Sequence, residues 1–332
     1  MTRFVLSRVA SLVGVLLVLT LAVFFIQSRL PADPVRLLVG RNATPEVVAA
    51  TRARLGLDEP FPVQYVHFLD RLLHGDAGTS LRTRNPVAAD VLQYLPATVE
   101  LVLVAAVMAV LGGLLLGLLS SRGGIWSGLV RLVTVAGSSS ATFLVAIVAI
   151  LVLYRNLGWF PAGGRSSEYS SSRPTGLLLV DTLLGGDLGG FLDAVHHVLL
   201  PAAVLAVGST VAIGRTLRGS LRRTAQTEFV RSAQAKGFTW WQVSRRHALR
   251  NSTNPALSMA GLQVGMLFSG SIVVELVFSW PGVGGYLAKS IGSSDFPAIT
   301  GVVLVLGAAY VAVNFVVDLL QLAVDPRLRS AR

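Results

Sequence analysis

The chain has 332 residues, of which 53% are hydrophobic and only 14% charged, and its mean hydropathy is +0.66. Soluble domains carry about 25% charged residues, so these values exclude an ordinary soluble domain and point to an integral membrane protein. The formal net charge of +11 would suggest nucleic acid in a soluble protein, but many of the basic residues lie between apolar runs, where they set topology. Cysteine is absent, which removes a disulfide framework, a thiolate nucleophile and a thiolate metal site.

Val9 to Ile26 is uncharged and apolar and follows Arg3 and Arg8. A cleaved signal peptide begins in the same way, but Gln27-Ser28-Arg29-Leu30-Pro31 offers no small-x-small cleavage site. A first transmembrane helix with a cytoplasmic N-terminus is therefore expected, since about 18 residues at 1.5 Å each nearly cross a hydrocarbon core. Leu30 to Leu95 is polar and reads as a folded outer loop. Within it, Thr44-Pro45-Glu46 is a helix start, with a cap hydroxyl, proline in the first helical position and an acid near the positive end of the dipole. That helix should stop near Gly56. A second short helix is expected from Pro62 to Leu73, with Tyr65, Leu69 and Leu72 on one stripe. His67 and His74 lie two turns apart, about 10 Å, too far to share one metal without a bend.

A second span is expected over Leu101 to Leu119, bounded by Pro96 and Arg122. Its Gly113 and Gly117 form a GxxxG pair whose physics is close helix contact. A third covers Leu132 to Leu153 and carries Gly137-Ser138-Ser139-Ser140-Ala141-Thr142. Small hydroxyls there either hydrogen-bond neighbouring helices or face a hydrated route, and the residues alone leave both readings open. Tyr154 to His197 forms a second outer loop rich in Gly and Ser; adjacent His196 and His197 point apart on a helix, which disfavours a shared metal. A short fourth span runs from Val198 to Ile213 with Pro201 near its start, where proline is tolerated.

The polar interval Gly214 to Pro255 follows, crowded with arginines and holding a single acid, Glu228. A short helix over Glu228 to Ala235 should break at Gly237. Thr239-Trp240-Trp241-Gln242 then has capping-box spacing, and a second helix should reach Arg250 and end before Pro255. Such a helix–Gly–helix either presses Phe229, Ala233 and Trp240 into a groove on a partner or lies as a basic loop on anionic lipid. A fifth span, Leu257 to Val274, carries Gly261, Gly265 and Ser269 at steps of four, and Gln263, which needs a partner or water. Glu275 ends it, before an expected interfacial aromatic turn, Phe278 to Gly285. The sixth span, Ala298 to Val317, leads to Asp318 and the tail Asp325-Pro326-Arg327-Leu328-Arg329.

An even number of spans puts both termini on one side, and the arginine-rich short segments place that side in the cytoplasm. Both lysines, Lys236 and Lys289, follow alanine, so no Gly-Lys-Ser/Thr phosphate loop exists. HExxH and GxSxG patterns are absent too. Acids at membrane depth are scarce and sit near span ends (Glu100, Glu275, Asp318), unlike the midplane groups of a proton- or sodium-driven carrier. An active transporter built this way takes its energy from another subunit.

Arg231-Ser232-Ala233-Gln234-Ala235-Lys236-Gly237, followed by His247-Ala248-Leu249-Arg250-Asn251, resembles the cytoplasmic EAA loop of ABC importer permeases, in the form found in the dipeptide/oligopeptide/nickel (DppB/OppB-type) family. Leu30-Pro31-Ala32-Asp33-Pro34, Ala43-Thr44-Pro45-Glu46, Leu55-Gly56-Leu57-Asp58, Gly75-Asp76-Ala77-Gly78-Thr79-Ser80 and Leu95-Pro96-Ala97-Thr98 are similar to further motifs of that family. So are Glu275, Phe278, Pro281-Gly282-Val283-Gly284 and the Asp325–Arg329 tail, so the resemblance covers nearly the whole chain. Arg231 departs from the generic loop, which has Glu there, and the second outer loop between Arg165 and Gly190 matches no motif.

The resemblance implies an all-α polytopic fold of about six transmembrane helices, the type I ABC importer (MetI-like) permease, with a small helical extracytoplasmic insertion between spans 1 and 2. It implies an N-terminal transmembrane helix (1–29), an extracytoplasmic region (30–95), a transmembrane type-1 domain (96–322) containing the coupling loop (214–256), and a cytoplasmic tail (323–332). The implied coupling residues are Glu228, Phe229, Arg231, Ser232, Ala233, Ala235, Lys236, Gly237, Trp240 and His247. Expected pathway residues are Ser138, Ser139, Thr142, Gly261, Gln263, Gly265 and Ser269.

Implied partners are a second homologous permease of the DppC/OppC type, two ABC ATPase domains, separate or fused, an extracytoplasmic solute-binding protein and the lipid bilayer of a bacterial cytoplasmic membrane. The implied cargo is a di- or oligopeptide, with nickel, haem and glutathione as alternatives. ATP and Mg belong to the ATPases, and this chain is expected to hold no cofactor or metal, bind no nucleic acid and catalyse nothing. Different classes also stand against this reading, an ion-coupled secondary carrier and a membrane receptor or scaffold.

Overall fold

A computed structural model describes residues 2–29, 44–54, 58–121, 128, 141–167, 174–228, 230, 235–237 and 249–324. Ten α-helices carry the described chain: α1 (Thr2–Arg29), α2 (Pro45–Arg54), α3 (Phe61–Leu73), α4 (Val87–Ser121), α5 (Thr142–Ala149), α6 (Leu178–Leu184), α7 (Leu188–Ala225), α8 (Leu249–Val277), α9 (Val283–Gly292) and α10 (Phe296–Val324). A π-helical stretch, Ile150–Asn156, continues α5. Five of these helices are long and apolar enough to cross a membrane, with windows Val9–Ile26, Val87–Ser120, Leu188–Ala225, Pro255–Val277 and Phe296–Val316. The third expected span is described only from Thr142 to Asn156, an apolar but shorter helix.

Several helices outrun the apolar windows that announced them. α4 begins well before Leu101 and holds Pro96 inside it rather than at its edge. α7 reaches from Leu188 to Ala225, although the apolar stretch suggested a short span from Val198 to Ile213. Its start is fixed by Asp187, whose side chain accepts from the Gly190 amide. Its C-terminal extension includes the poor helix formers Gly214 and Gly219, but Leu217 and Leu221 are buried against the neighbouring helices, and Arg222 and Arg223 lie beside the negative end of the dipole. At the other side of the polar interval, Leu249 and Arg250 do not end a loop helix. They belong to α8, which runs unbroken through Pro255, as membrane helices tolerate when neighbours satisfy the freed carbonyl.

The chain divides into two compact units, one of Met1–Leu95 with Tyr286–Ala312 and one of Pro96–Gly285 with Val313–Arg332. In the first, α2 starts as expected, with Pro45 leading and Glu46 in its first turn. The turn over residues 75–86 is tied down by two carboxylates. Asp295 accepts from the Ser80 hydroxyl and the Arg82 amide (3.1 Å), and Asp90 accepts from Thr83, Asn85 (3.1 Å) and the Tyr286 hydroxyl (2.9 Å). Tyr286 also stacks on Tyr94, with ring centroids 5.2 Å apart. Burial, helped by the Asp90 and Asp295 carboxylates, pushes the Tyr286 phenol up to about 12, so it remains a proton donor at any physiological pH.

The second unit is organised on α7, which packs along α8 and also meets α5 and α6. Its contact with α4 uses the GxxxG pair. A Cβ on Gly113 would stand 2.7 Å from Ile213, one on Gly117 2.7 Å from Leu217, and one on Gly214 2.7 Å from the Leu116 side chain. These distances are below any ordinary carbon contact, so the glycines serve close helix packing, the use that their spacing suggested.

Candidate functional site

The expected coupling loop joins α7 and α8, which pack along one another. α7 ends at Ala225, and single turns follow, from Gln226 to Arg223 (3.2 Å) and from Val230 to Thr227 (3.1 Å). Val230 is buried, whereas Glu228, Ala235, Lys236 and Gly237 are exposed. Gly237 has φ +88°, the left-handed region where only glycine sits without strain. Phe229, Arg231, Ser232, Ala233, Trp240 and His247 lie outside the described residues.

Of the expected pathway residues, Ser138 and Ser139 lie outside the described residues, and Thr142 is half-buried at the first turn of α5. Gln263 accepts from Ser209 of α7 at 3.3 Å and turns its amide nitrogen toward the Met259 sulfur at 3.8 Å. The partner that its place in a span demanded is thus supplied by protein. Gly261 and Gly265 are buried, but Ser269 is exposed. Steps of four overshoot a full helical turn by about 40° each, so after two steps the stripe has rotated away from its starting face.

Two constellations bind helix ends of the second unit. In the first, the Glu275 carboxylate, buried at the end of α8, accepts from the Thr98 hydroxyl (2.7 Å) and from the amides of Gly284 (2.7 Å) and Gly285 (3.2 Å). Thr98 in turn accepts from the Val283 amide at 2.9 Å, and the Trp280 indole donates to the Ala97 carbonyl at 2.9 Å. Leu95-Pro96-Ala97-Thr98 and Glu275 to Gly285, separate motifs in the sequence, are therefore one clasp. The Phe278 to Gly285 turn is not an interfacial aromatic belt, because Phe278 and Trp280 are both buried. An indole N–H with a protein acceptor has no need of the water that an interfacial position would offer.

Glu275→Ala should orphan three donors, at about 1–3 kcal/mol each, whereas Glu275→Gln keeps an acceptor for the glycine amides. Thermal unfolding of the purified protein in detergent should therefore show a large fall for Ala and a smaller one for Gln. Equal falls would remove the carboxylate's role as a shared acceptor.

In the second constellation, Arg165 and Glu100 form a buried pair, with Arg165 Nε 2.8 Å from Glu100 Oε2. Arg165 also donates to the Gly176 carbonyl (2.8 Å), and Glu100 accepts from the Leu179 amide (2.7 Å). Asp181 accepts from the amides of Thr175 and Gly176, both at 3.0 Å. The second outer loop, which matched no motif, is thus anchored on α4 by a charge pair. Nothing short of contact geometry links Arg165 to a residue 65 positions earlier.

Among the described residues, no three His, Asp or Glu side chains gather as a metal site. His67 faces Glu59 (3.1 Å), His74 the Asp70 carbonyl (2.8 Å) and His196 the Trp159 carbonyl (2.7 Å).

Comparison with known proteins bears on the whole chain. The family described as binding-protein-dependent transport system inner membrane component matches residues 109–330, and its N-terminal companion matches residues 1–102. The di/tripeptide transport system permease protein DppB of Pseudomonas aeruginosa is 38% identical over 336 residues, covering 100% of both chains. The probable D,D-dipeptide transport system permease protein DdpB of Escherichia coli is 38% identical over 312 residues, 92% of this chain and 91% of its own. The glutathione transport system permease protein GsiC of Salmonella typhimurium is 32% identical over 334 residues, 99% of each.

Proposed function

The chain belongs to the family of binding-protein-dependent transport system inner membrane components, and from that membership we propose that it is a permease subunit of an ATP-driven importer of di- and oligopeptides. Similarity along its full length to permeases named for dipeptides carries this reading. The family's name implies an extracytoplasmic solute-binding protein. ATPase subunits holding ATP and Mg, a second homologous permease and cytoplasmic termini complete the proposal. The chain itself hydrolyses nothing.

Mechanically, the segment between Ala225 and Leu249 joins the C-terminal end of α7 to the N-terminal end of α8. Displacement of Glu228 to Gly237 by the closing ATPases is passed directly to two helices that pack side by side. The second of them, α8, carries Gly261, Gln263, Gly265 and Ser269, the proposed pathway residues, with Ser138, Ser139 and Thr142 on the third span. Phe229, Ala233 and Trp240 are the proposed anchors on the ATPase.

Co-purification should bring down a P-loop ATPase and a second multi-span chain. The reconstituted complex should take up labelled di- to pentapeptides in an ATP-dependent manner. Glutathione is the second reading, favoured by the GsiC relative. Uptake blocked by glutathione, nickel or haem but not by unlabelled dipeptide would overturn the peptide assignment.

A further inference from the structure

The segment between the first two spans reads in sequence as a polar outer loop, yet α3 does not have the surroundings of an aqueous loop helix. It packs on α1 through an aromatic cluster. Phe24 is the hub, with ring centroids 5.2 Å from Phe61, 5.6 Å from Tyr65 and 5.3 Å from Phe68. Phe24 lies inside the apolar window Val9–Ile26, only 11% of which is buried, so α1 stands almost bare in the chain. The Tyr65 hydroxyl reaches further along it, bonding the Thr20 hydroxyl (2.9 Å) and the Leu17 carbonyl (3.2 Å). Leu17 is about 13 Å from the C-terminal end of that window at 1.5 Å per residue. A helix that crosses α1 at Phe24 and sends a side chain to Leu17 sits at the level where the apolar window ends, not above it.

The rest of the α3 surface separates into two faces. His67, Asp70, Arg71 and His74 form a polar side, where His67 pairs with Glu59 and His74 with Asp70. Val66 and Leu73, seven residues apart and so about 20° from one another around the helix, form a second apolar side. They are 60% and 85% exposed. The exposed rings of Phe25 on α1 and Phe61 on α3 meet edge to face at 6.3 Å, which makes the bare surface of the span continuous with α3. One side on a span, one side charged and one side apolar and uncovered is the pattern of a helix lying in the membrane interface.

We infer that α3 is an interfacial lipid-binding helix at the C-terminal end of α1, with acyl chains covering Val66 and Leu73 and the His67–Arg71 side in the headgroup and water layer. Tyr65 and the phenylalanines set its depth, as aromatic residues do at membrane boundaries.

The chain contains no cysteine, so a single introduced thiol reports on one position. Val66→Cys, Leu73→Cys, His67→Cys and Arg71→Cys, all at exposed sites, would each carry an environment-sensitive fluorophore. The assembled complex would be placed in phosphatidylcholine vesicles, with the unmodified complex as background. Positions 66 and 73 should be quenched several-fold more by a nitroxide on the upper acyl chain than positions 67 and 71, and several-fold less by aqueous iodide. Iodide quenching all four alike would put α3 in water and overturn the inference. Shielding of 66 and 73 from both quenchers would overturn it too, because a protein partner would then cover that face.

Discussion

Arg165→Met should unfold well before the unmodified protein, by the equivalent of about 3–5 kcal/mol, the usual cost of stranding one member of a buried ion pair. Glu100 has no water to turn to, since both partners are buried. Loss of Arg165 also frees the Gly176 carbonyl, so the turn that leads into α6 is left tied to α4 by the Leu179 amide on Glu100. The second substitution is the discriminating one. Arg165→Met combined with Glu100→Gln removes the uncompensated charge while keeping an acceptor for the Leu179 amide. It should recover a large part of the lost stability, because replacing both members of a buried pair is often close to neutral. Denaturation of the purified protein, followed by intrinsic fluorescence or a thiol-independent dye, reads both variants. A double variant no better than the single one would mean that Arg165 acts by packing rather than by charge.

That pair also marks where reading the sequence stopped short. Uncharged apolar runs located the spans, and Thr44-Pro45-Glu46 located α2, because both signals are local. Helix ends were less legible. Buried Leu217 and Leu221 carry α7 past its glycines and on to Ala225, and packing overrides the proline signal at Pro96 and Pro255. The clasp of Thr98 and Glu275 joins residues 177 positions apart. Each half was visible as a motif, but only the folded chain shows that the hydroxyl and the carboxylate meet. Trp280 was misplaced for the same reason: its side chain looks interfacial until the Ala97 carbonyl is found beside it.

Gly237 carries the largest effect expected on transport. Its φ of +88° is conformationally costly for residues with a Cβ, and most of all for a β-branched one. Yet a Cβ there would meet none of the described residues within 4 Å, so the backbone conformation is the constraint they show. Backbone strain of this kind costs about 1–3 kcal/mol. Set against a coupling energy of that same size, it corresponds to roughly 5–150-fold in the coupled equilibrium. Gly237→Val should therefore depress ATP-driven uptake within that range, while membrane insertion and thermal stability change little, because the residue is exposed and touches no core.

Asparagine separates the conformational account from a steric one. It is bulkier than alanine yet visits the left-handed region far more readily than β-branched residues do. The expected order of uptake is Gly237, then Asn, then Ala, then Val, with ATPase co-purification falling in parallel if the turn presents Phe229, Ala233 and Trp240 to the partner. An order that follows side-chain volume instead, with Ala above Asn, would mean that the position is limited by room against the ATPase. Uptake unchanged in Gly237→Val would remove the segment from the coupling path altogether.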